Sequence, residues 1–246
     1  MPDVTFVAPF FAETTLRFIE ALAGLDGVRV SVISQDPSDR IPRPLRTRLV
    51  EHVRIADGLD PDDITRAVIE LRRRGRTVDQ LLGTFEELQV PLGAVRDRLG
   101  IPGMGAATAE NFRDKSRMKD ILRDHGLPCA RHALVHDPVE AGVFAGEVGY
   151  PLIAKPPAGS GSRGTHRLSS GGELSHFLTE LPPSAELPVL LEEFVVGDER
   201  SFDSMTIDGR LVWASINHYH PSPLEVVREP WIQWCVLLPR QAVDPA

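Results

Sequence analysis

A lysine at the end of a short apolar run, followed by a loop of glycine and serine, has the clearest chemical meaning in this sequence. Residues 151–165 read PLIAKPPAGSGSRGT, so Lys155 closes the apolar run and two prolines prevent further strand pairing. Glycines leave backbone N–H groups unshielded, and such a loop can bring them onto a phosphate chain that the lysine ammonium also reaches. A flexible hairpin with an exposed lysine is the alternative interpretation.

The loop does not have the form of the common P-loop, because no Gly-Lys-Ser/Thr sequence opens a helix. The residues THRLS at positions 165–169 instead predict a second strand. We therefore expect the glycine loop to join two strands.

Composition indicates a globular protein of one large or two small domains. The 246 residues are 42% hydrophobic and 25% charged, which is ordinary for a folded protein with an ample core. The formal net charge of −8 argues against nucleic acid as the main partner. The basic run at residues 72–76 is better explained as the last turn of a helix and the glycine that follows it.

The sequence carries no evident targeting signal. The first residues, MPDVTFVAPFFAE, have no basic region and turn acidic at once, which disfavours a signal peptide. No apolar run approaches the roughly 18 to 20 residues that a membrane span requires. The two cysteines, Cys129 and Cys235, do not form a disulfide framework. We therefore expect a cytoplasmic protein without a membrane partner.

The first hundred residues alternate strand and helix patterns. Strands are predicted at residues 4–10, 28–34 and 78–84, and helices at 14–25, 61–74 and 86–99, whereas 41–54 fits either. Asp60 and Pro61 provide an N-cap and a first turn for the second helix. This alternation is typical of a parallel sheet covered by helices and predicts a Rossmann-like domain at residues 1–105. No Gly-x-Gly-x-x-Gly follows the first strand, so dinucleotide binding is not expected there.

Beyond residue 105 the pattern changes. Thr108 is a candidate N-cap for a helix that reaches Asp114, and Met118, Ile121 and Leu122 share one face of the next helix. Strands are predicted at residues 131–135, 152–155, 166–168, 189–195, 199–207 and 210–220, and helices at 138–148 and 173–181. The dipeptide Asp208-Gly209 between the last two strands is a strong hairpin signal.

Three motifs in this order resemble the ATP-grasp superfamily, which includes biotin carboxylase, D-alanine–D-alanine ligase and the carbamoyl phosphate synthetase large subunit. Residues 111–130, NFRDKSRMKDILRDHGLPCA, are similar to the family's D-K-x-x-M segment, with Lys115 in the lysine place. Residues 150–164 resemble its Y-P-x-x-x-K-P strand and glycine loop, and 190–203 resemble the hinge between its two lobes. Each motif alone is weak, but the three follow one another at the family's spacing of about 40 residues.

The resemblance implies an architecture that is α/β in its first part and α+β in its second. It predicts a Rossmann-like pre-ATP-grasp domain at residues 1–105 and a partial two-lobed ATP-grasp domain at 106–246, with lobes at 106–195 and 196–246. ATP would lie between the 151–168 hairpin and the 189–199 segment.

The resemblance also implies a role for each part of the site. Lys115 and Lys155 would contact phosphates, under a lid formed by Gly159, Ser160, Gly161, Ser162, Arg163 and Gly164. The adenine edge would bond to a strand that carries Glu192 or Glu193 near the exocyclic amine, with Phe194 and Val195 at the hinge. Glu199 would bind the ribose hydroxyls. The plainer alternatives are a solvated helix lysine at Lys115 and two solvated carboxylates at the strand end.

The resemblance implies an ATP-dependent carboxylate–amine ligase. Such enzymes phosphorylate a small carboxylate to an acylphosphate, which an amine or similar nucleophile then attacks. The sequence identifies no catalytic residue, and the resemblance allows a homodimer. A non-catalytic ATP-binding module and an α/β metabolite-binding domain without ATP are the alternatives.

Magnesium is expected from the family, but its usual ligands are not evident in this sequence. The family holds the metal with two acidic residues and an asparagine on strands beyond the hinge. Only 39 residues follow Ile207, and their two glutamates, Glu225 and Glu229, stand close to prolines. His218 and His220 share one face of a predicted strand, but no third ligand accompanies them. We therefore assign no metal ligand and expect a second lobe that is cut short.

Overall fold

The computed structural model describes residues 1–159, 164–229, 231–232 and 235–237. The chain divides into two compact units, Met1–Met118 and Lys119–Ala246. None of the helices in the described ranges has the length and apolar character that a membrane span needs.

The first unit is built on a four-stranded parallel sheet with the order β3-β2-β1-β4. Its strands are β1 (Asp3–Ala8), β2 (Arg29–Ser34), β3 (Glu51–Arg54) and β4 (Gln80–Leu82). Its helices are α1 (Glu13–Ala23), α2 (Arg43–Arg46), α3 (Pro61–Arg73), α4 (Gln89–Leu99) and α5 (Ala106–Arg113), and α6 (Lys115–Asp124) runs across the division between the units. Two buried apolar clusters, one containing Ile33 and the other Val32, cover the two faces of the sheet. The predicted alternation of strand and helix is confirmed, and residues 41–54 contain both α2 and β3.

A buried carboxylate ties the beginning of β1 to its neighbours. The two oxygens of Asp3 accept hydrogen bonds from Arg29 Nε at 2.6 Å and Nη2 at 2.9 Å, and Thr77 donates from both its backbone N–H and its hydroxyl. Burial alone would raise the pKa of Asp3, but the hydrogen bonds from Arg29 and Thr77 outweigh it and lower the pKa below its ordinary value.

Helix termini follow the local sequence in one case and a tertiary contact in another. The side chain of Asp60 accepts a hydrogen bond from the Asp62 N–H, which confirms it as the N-cap of α3. The prediction that Thr108 caps the next helix is wrong, because α5 begins at Ala106 with Gly105 in the N-cap position. Asp97 caps it from α4 by accepting the Ala106 N–H at 2.9 Å. The predicted domain boundary at residue 105 stays a prediction. The first compact unit extends to Met118 and therefore includes α5.

The second unit contains two antiparallel sheets. Its elements are β5 (His132–Val135), α7 (Pro138–Val148), β6 (Leu152–Lys155), β7 (His166–Leu168), α8 (Gly171–Glu180), β8 (Val189–Glu193), β9 (Arg200–Ile207), β10 (Arg210–His220), α9 (Pro223–Arg228) and β11 (Cys235–Leu237). The first sheet has the order β5-β8-β6-β7 and the second β11-β10-β9. The fold class predicted from the sequence is confirmed. Asp208 and Gly209 adopt φ values of +49° and +74° in the predicted β9–β10 turn.

The first sheet of this unit has one apolar and one polar face, because strand side chains alternate. Leu152, Ala154 and Leu191 pack with α7 and α8 in one buried cluster. Lys155 and Glu192, one residue further along their strands, point to the opposite side. We call this side the polar face, and it carries most of the candidate site.

Candidate functional site

A buried carboxylate on the polar face lies between two lysines. Glu192 Oε2 accepts a 2.8 Å hydrogen bond from Lys155 Nζ, and Lys119 Nζ lies 3.3 Å from Oε1. The Glu192 residue is only 6% exposed. The contact with Lys119 is ionic without hydrogen-bond geometry, since buried Oε1 has no hydrogen-bond partner. Two ammonium groups against one carboxylate leave this cluster with a positive charge, which favours an anionic ligand.

The strand register brings Lys155 and Glu192 together. In the antiparallel pair β6–β8, Lys155 stands opposite Leu190 and Ile153 stands opposite Glu192. Lys155 and Glu192 are therefore diagonal neighbours on one face, within reach of long side chains. The structure thus joins two residues that lie 37 positions apart in the chain and that the sequence assigned to the phosphates and the adenine.

Lys119 is the residue of this cluster that the sequence analysis missed. It lies on α6, one helical turn after Lys115, so the two lysines share a helix face. That spacing was the signal that could have found it. The motif drew attention to Lys115, which begins α6; its contact with phosphate stays a prediction.

Glu193 has a different partner from Glu192, because neighbouring strand residues face opposite ways. Its carboxylate accepts hydrogen bonds from the Arg131 backbone N–H at 2.8 Å and from Arg131 Nε at 2.7 Å. The backbone bond first and the guanidinium second lower the pKa of Glu193. Of the two predicted carboxylates, the structure therefore brings only Glu192 to the lysines. Proximity of either one to the adenine amine stays a prediction.

A histidine, also missed from the sequence, stands opposite Glu192 on β5. The His132 side chain is 2% exposed, and its Nε2 lies 3.2 Å from Asp120 Oδ1 of α6. Its Nδ1 is buried without a hydrogen-bond partner. The polar face thus carries a row of ionisable groups on β5, β8 and β6 that α6 covers with Lys119 and Asp120.

The hinge predicted after β8 lines a cavity of about 460 Å³, a size typical of small-molecule sites. The lining residues are Arg167, Phe194, Val195, Val196, Gly197, Glu199, Ser222, Leu224, Glu225 and Glu229. The Arg167 guanidinium lies 4.3 Å from the centre of the Phe194 ring. Arg167 stands opposite Ile153 in the β6–β7 pair, so it lies on the polar face with Lys155. The structure thereby brings three predicted residues, Phe194, Val195 and Glu199, to one cavity.

Glu199 is one of the residues that line this cavity. The residue is exposed, yet the protein around its carboxylate desolvates the charge and raises the pKa above its ordinary value. A carboxylate in such a place gains from a ligand that donates hydrogen bonds, as sugar hydroxyls do. Its predicted contact with ribose stays a prediction.

The glycine loop joins β6 to β7, as predicted, and these strands pair in antiparallel fashion. Gly164 at its end has a φ of +66°, which disfavours any residue with a side chain. Gly159 is the last described residue before the gap. Ser160, Gly161, Ser162 and Arg163 lie outside the described residues.

No group of three or more histidine, cysteine, aspartate or glutamate side chains in the described part of the chain could hold a metal ion. His218 and His220 line a second cavity of about 420 Å³ together with Glu225. The carboxylate of Asp203 accepts a 2.6 Å hydrogen bond from Asn217 Nδ2. Because these groups do not form a ligand set, we derive no step through magnesium.

Several ligases are among the known proteins that this chain resembles. No family model matches the chain. The L-arginine-specific L-amino acid ligase of Bacillus subtilis is 28% identical over 206 residues, which are 79% of this chain and 47% of that protein. The D-alanine–D-alanine ligase of Pseudomonas fluorescens is 29% identical over 138 residues, 56% of this chain and 40% of that protein.

A solved structure shows the same fold. The L-amino acid ligase from Bacillus licheniformis superimposes with a TM-score of 0.72 at 19% identity, over 99% of this chain and 56% of that one. The chain therefore spans about half the length of the ligases that it resembles.

Proposed function

We propose that this chain, whose relatives and structural neighbours indicate the ATP-grasp superfamily, binds ATP and takes part in joining a carboxylate to an amine or similar nucleophile. The family resemblance drawn from the three motifs is thereby confirmed. The observation that supports the proposed nucleotide site is the buried Lys119–Glu192–Lys155 cluster, which shares the polar face with Arg167 at the edge of the cavity.

Each part of ATP has a suitable counterpart in this arrangement. The lysines offer positive charge to the phosphates, and the backbone of residues 192–195 offers donors and acceptors to the adenine edge. Phe194 and Val195 supply apolar surface at the cavity, and Glu199 accepts hydrogen bonds from the ribose hydroxyls. The glycine loop would cover the phosphates and exclude water.

In the proposed reaction a carboxylate oxygen attacks the γ-phosphorus of ATP and ADP leaves, which gives an acylphosphate. The amine then attacks the carbonyl carbon, and inorganic phosphate leaves as the new bond forms. Lys155 and its neighbouring cations offset the phosphate charge while the groups are held in line.

Amino acids are the proposed class for the carboxylate substrate, and an amine-bearing molecule is the proposed second substrate. Support comes from the names of the relatives, which include L-amino acid ligases and D-alanine–D-alanine ligase. A cytoplasmic location and a homodimer stay predictions. The alternative of a non-catalytic ATP-binding module receives no support from these comparisons, since the relatives are ligases.

The test has two stages with the 246-residue chain. Titration calorimetry with ATP and with adenosine, each with and without magnesium, measures nucleotide binding. Release of ADP and phosphate in the presence of pairs of amino acids then measures ligation. ATP binding with ADP release that depends on the amino acids supports the proposal. Absence of ATP binding would contradict it, and binding without any release would favour the non-catalytic module.

A further inference from the structure

The position of Lys119 calls for an explanation that the three motifs do not provide. Of the 27 lysine and arginine residues in the chain, only Lys115, Lys119 and Lys155 are lysines. Two of these three meet at Glu192, and their side chains are only 16% and 20% exposed. A compact ammonium makes a point contact with an anion, where arginine would impose a planar fork.

The two lysines stand in different relations to Glu192. Lys155 donates a hydrogen bond to Oε2 at 2.8 Å, whereas Lys119 lies 3.3 Å from Oε1, which lacks a hydrogen-bond partner. If Lys155 turns toward the phosphates of ATP, Glu192 loses this hydrogen bond and stands close to a triphosphate. A buried carboxylate without a counter-charge is strongly destabilised. Lys119 is then the cation that remains beside it.

We propose that Lys119 is a positioning residue whose positive charge holds the Glu192 carboxylate in place when Lys155 moves from Glu192 to the phosphates of ATP. The inference rests on the proposed function, because it needs ATP at Lys155. In this inference the Lys155–Glu192 hydrogen bond exists only without nucleotide, and ATP phosphates take the place of Glu192 at Lys155. Lys119 stays beside Glu192 in both states.

Other charged groups around Glu192 do not take over this role. His132 on β5 stands opposite Glu192, but its Nε2 faces Asp120 of α6. Arg131 is engaged by Glu193. Lys119 from α6 and Lys155 from β6 are the cations within 4 Å of the Glu192 carboxylate among the described residues.

A double-mutant cycle tests the inference, with ATP affinity of the 246-residue chain measured by calorimetry for wild type, K119M, E192Q and K119M/E192Q. We expect K119M to weaken ATP binding by about tenfold, within the range of couplings between contacting groups. Glutamine at position 192 carries no charge to compensate. The double variant should therefore bind ATP within about threefold of E192Q.

A variant that keeps the positive charge of Lys119 provides a second readout. K119R should restore much of the affinity because it keeps the charge.

Each other outcome has a definite meaning. An equal loss from K119M in both backgrounds would show that Lys119 contacts the phosphates directly and would overturn the inference, as would an unchanged affinity of K119M. If K119M does not unfold cooperatively, K119Q replaces it in the same cycle. Failure of the wild-type chain to bind ATP would contradict the proposed function, whereas ATP binding without coupling between positions 119 and 192 would contradict this inference alone.

Discussion

Lys155 and Glu192 face each other diagonally across strands β6 and β8, and the lysine donates a 2.8 Å hydrogen bond to the buried carboxylate. Lys155 therefore has an anionic partner before any ligand arrives. If Lys155 binds the phosphates of ATP as proposed, it must exchange one anion for another, and the affinity for ATP would reflect a difference between two ion pairs. Ligands that differ in charge, such as ATP and adenosine, can therefore separate the roles of the surrounding residues.

Replacing Lys155 by alanine should weaken ATP binding much more than adenosine binding. Of the parts of ATP, the Lys155 ammonium would contact only the phosphates, and adenosine has no phosphate. We expect at least about a tenfold loss for ATP, the scale of one charge-assisted hydrogen bond. Calorimetric titration of both ligands measures it. The matched control is Arg131→Ala, which removes a cation bound to the neighbouring Glu193. Equal losses for ATP and adenosine would remove the phosphate assignment.

Two glycines of helix α7 should respond to alanine in opposite directions. Gly142 lies inside the helix, and a Cβ added there would meet no other atom within 4 Å, so Gly142→Ala should stabilise the chain by about 0.5–1 kcal/mol. Gly149 ends the helix at a φ of +81°, which alanine adopts only with strain, so Gly149→Ala should destabilise by about 1 kcal/mol. Denaturant unfolding of the two variants measures both values. Changes of the same sign would contradict the assigned end of α7.

Breaking the tie at Asp3 should destabilise the parallel sheet. Asp3→Asn removes the charge that Arg29 and Thr77 stabilise, at a cost of about 2 kcal/mol. The folded-state pKa of Asp3 lies below its ordinary value of 3.8, so the stability that the ionised Asp3 contributes is present above that pH and is lost as pH falls through the folded pKa.

The stability difference between wild type and Asp3→Asn should therefore shrink in acid. Urea unfolding at pH 7 and near pH 3 checks this, with the exposed pair Glu13–Arg17 as control through Glu13→Gln. A difference that persists unchanged at the lower pH would show that Asp3 acts through shape rather than charge.

The sequence predicted those elements whose boundaries are written in local residues. Helix α7 has an Asp137 N-cap, proline in its first turn and Gly149 at its end, and it occupies the predicted residues 138–148. Strands β7 and β10 also have the predicted bounds. Thr108 misled the prediction because the real cap of α5 comes from Asp97 on another helix, a contact that no local pattern encodes.

The candidate site could be predicted only as far as single motifs reach. The motifs pointed to Lys155 and the two glutamates, but the choice between Glu192 and Glu193 depends on which face of β8 packs against α7 and α8. To place Lys119 in the site, one must know which face of α6 is turned toward the sheet. To place His132 there, one must know the register of β5 on β8. These are tertiary facts, because side chains distant in sequence meet only once the sheet order is fixed.

The final prediction concerns Glu199, whose carboxylate lines the cavity at the hinge. If it binds the ribose hydroxyls, Glu199→Gln should weaken ATP and adenosine by similar factors, in contrast to the change at Lys155. The variant should also lose most of any preference for ATP over 2′-deoxy-ATP, because one of the hydrogen bonds it weakens is absent from the deoxy ligand.

The raised pKa of Glu199 adds a dependence on pH. The ionised carboxylate is the better acceptor, so adenosine affinity should decline as pH falls through this pKa, and the decline should vanish in Glu199→Gln. Calorimetry with adenosine avoids the titration of the phosphates. The control is Glu229→Gln, which changes another carboxylate that lines the same cavity. If wild type and Glu199→Gln discriminate equally against 2′-deoxy-ATP, the ribose hydroxyls do not bind to Glu199.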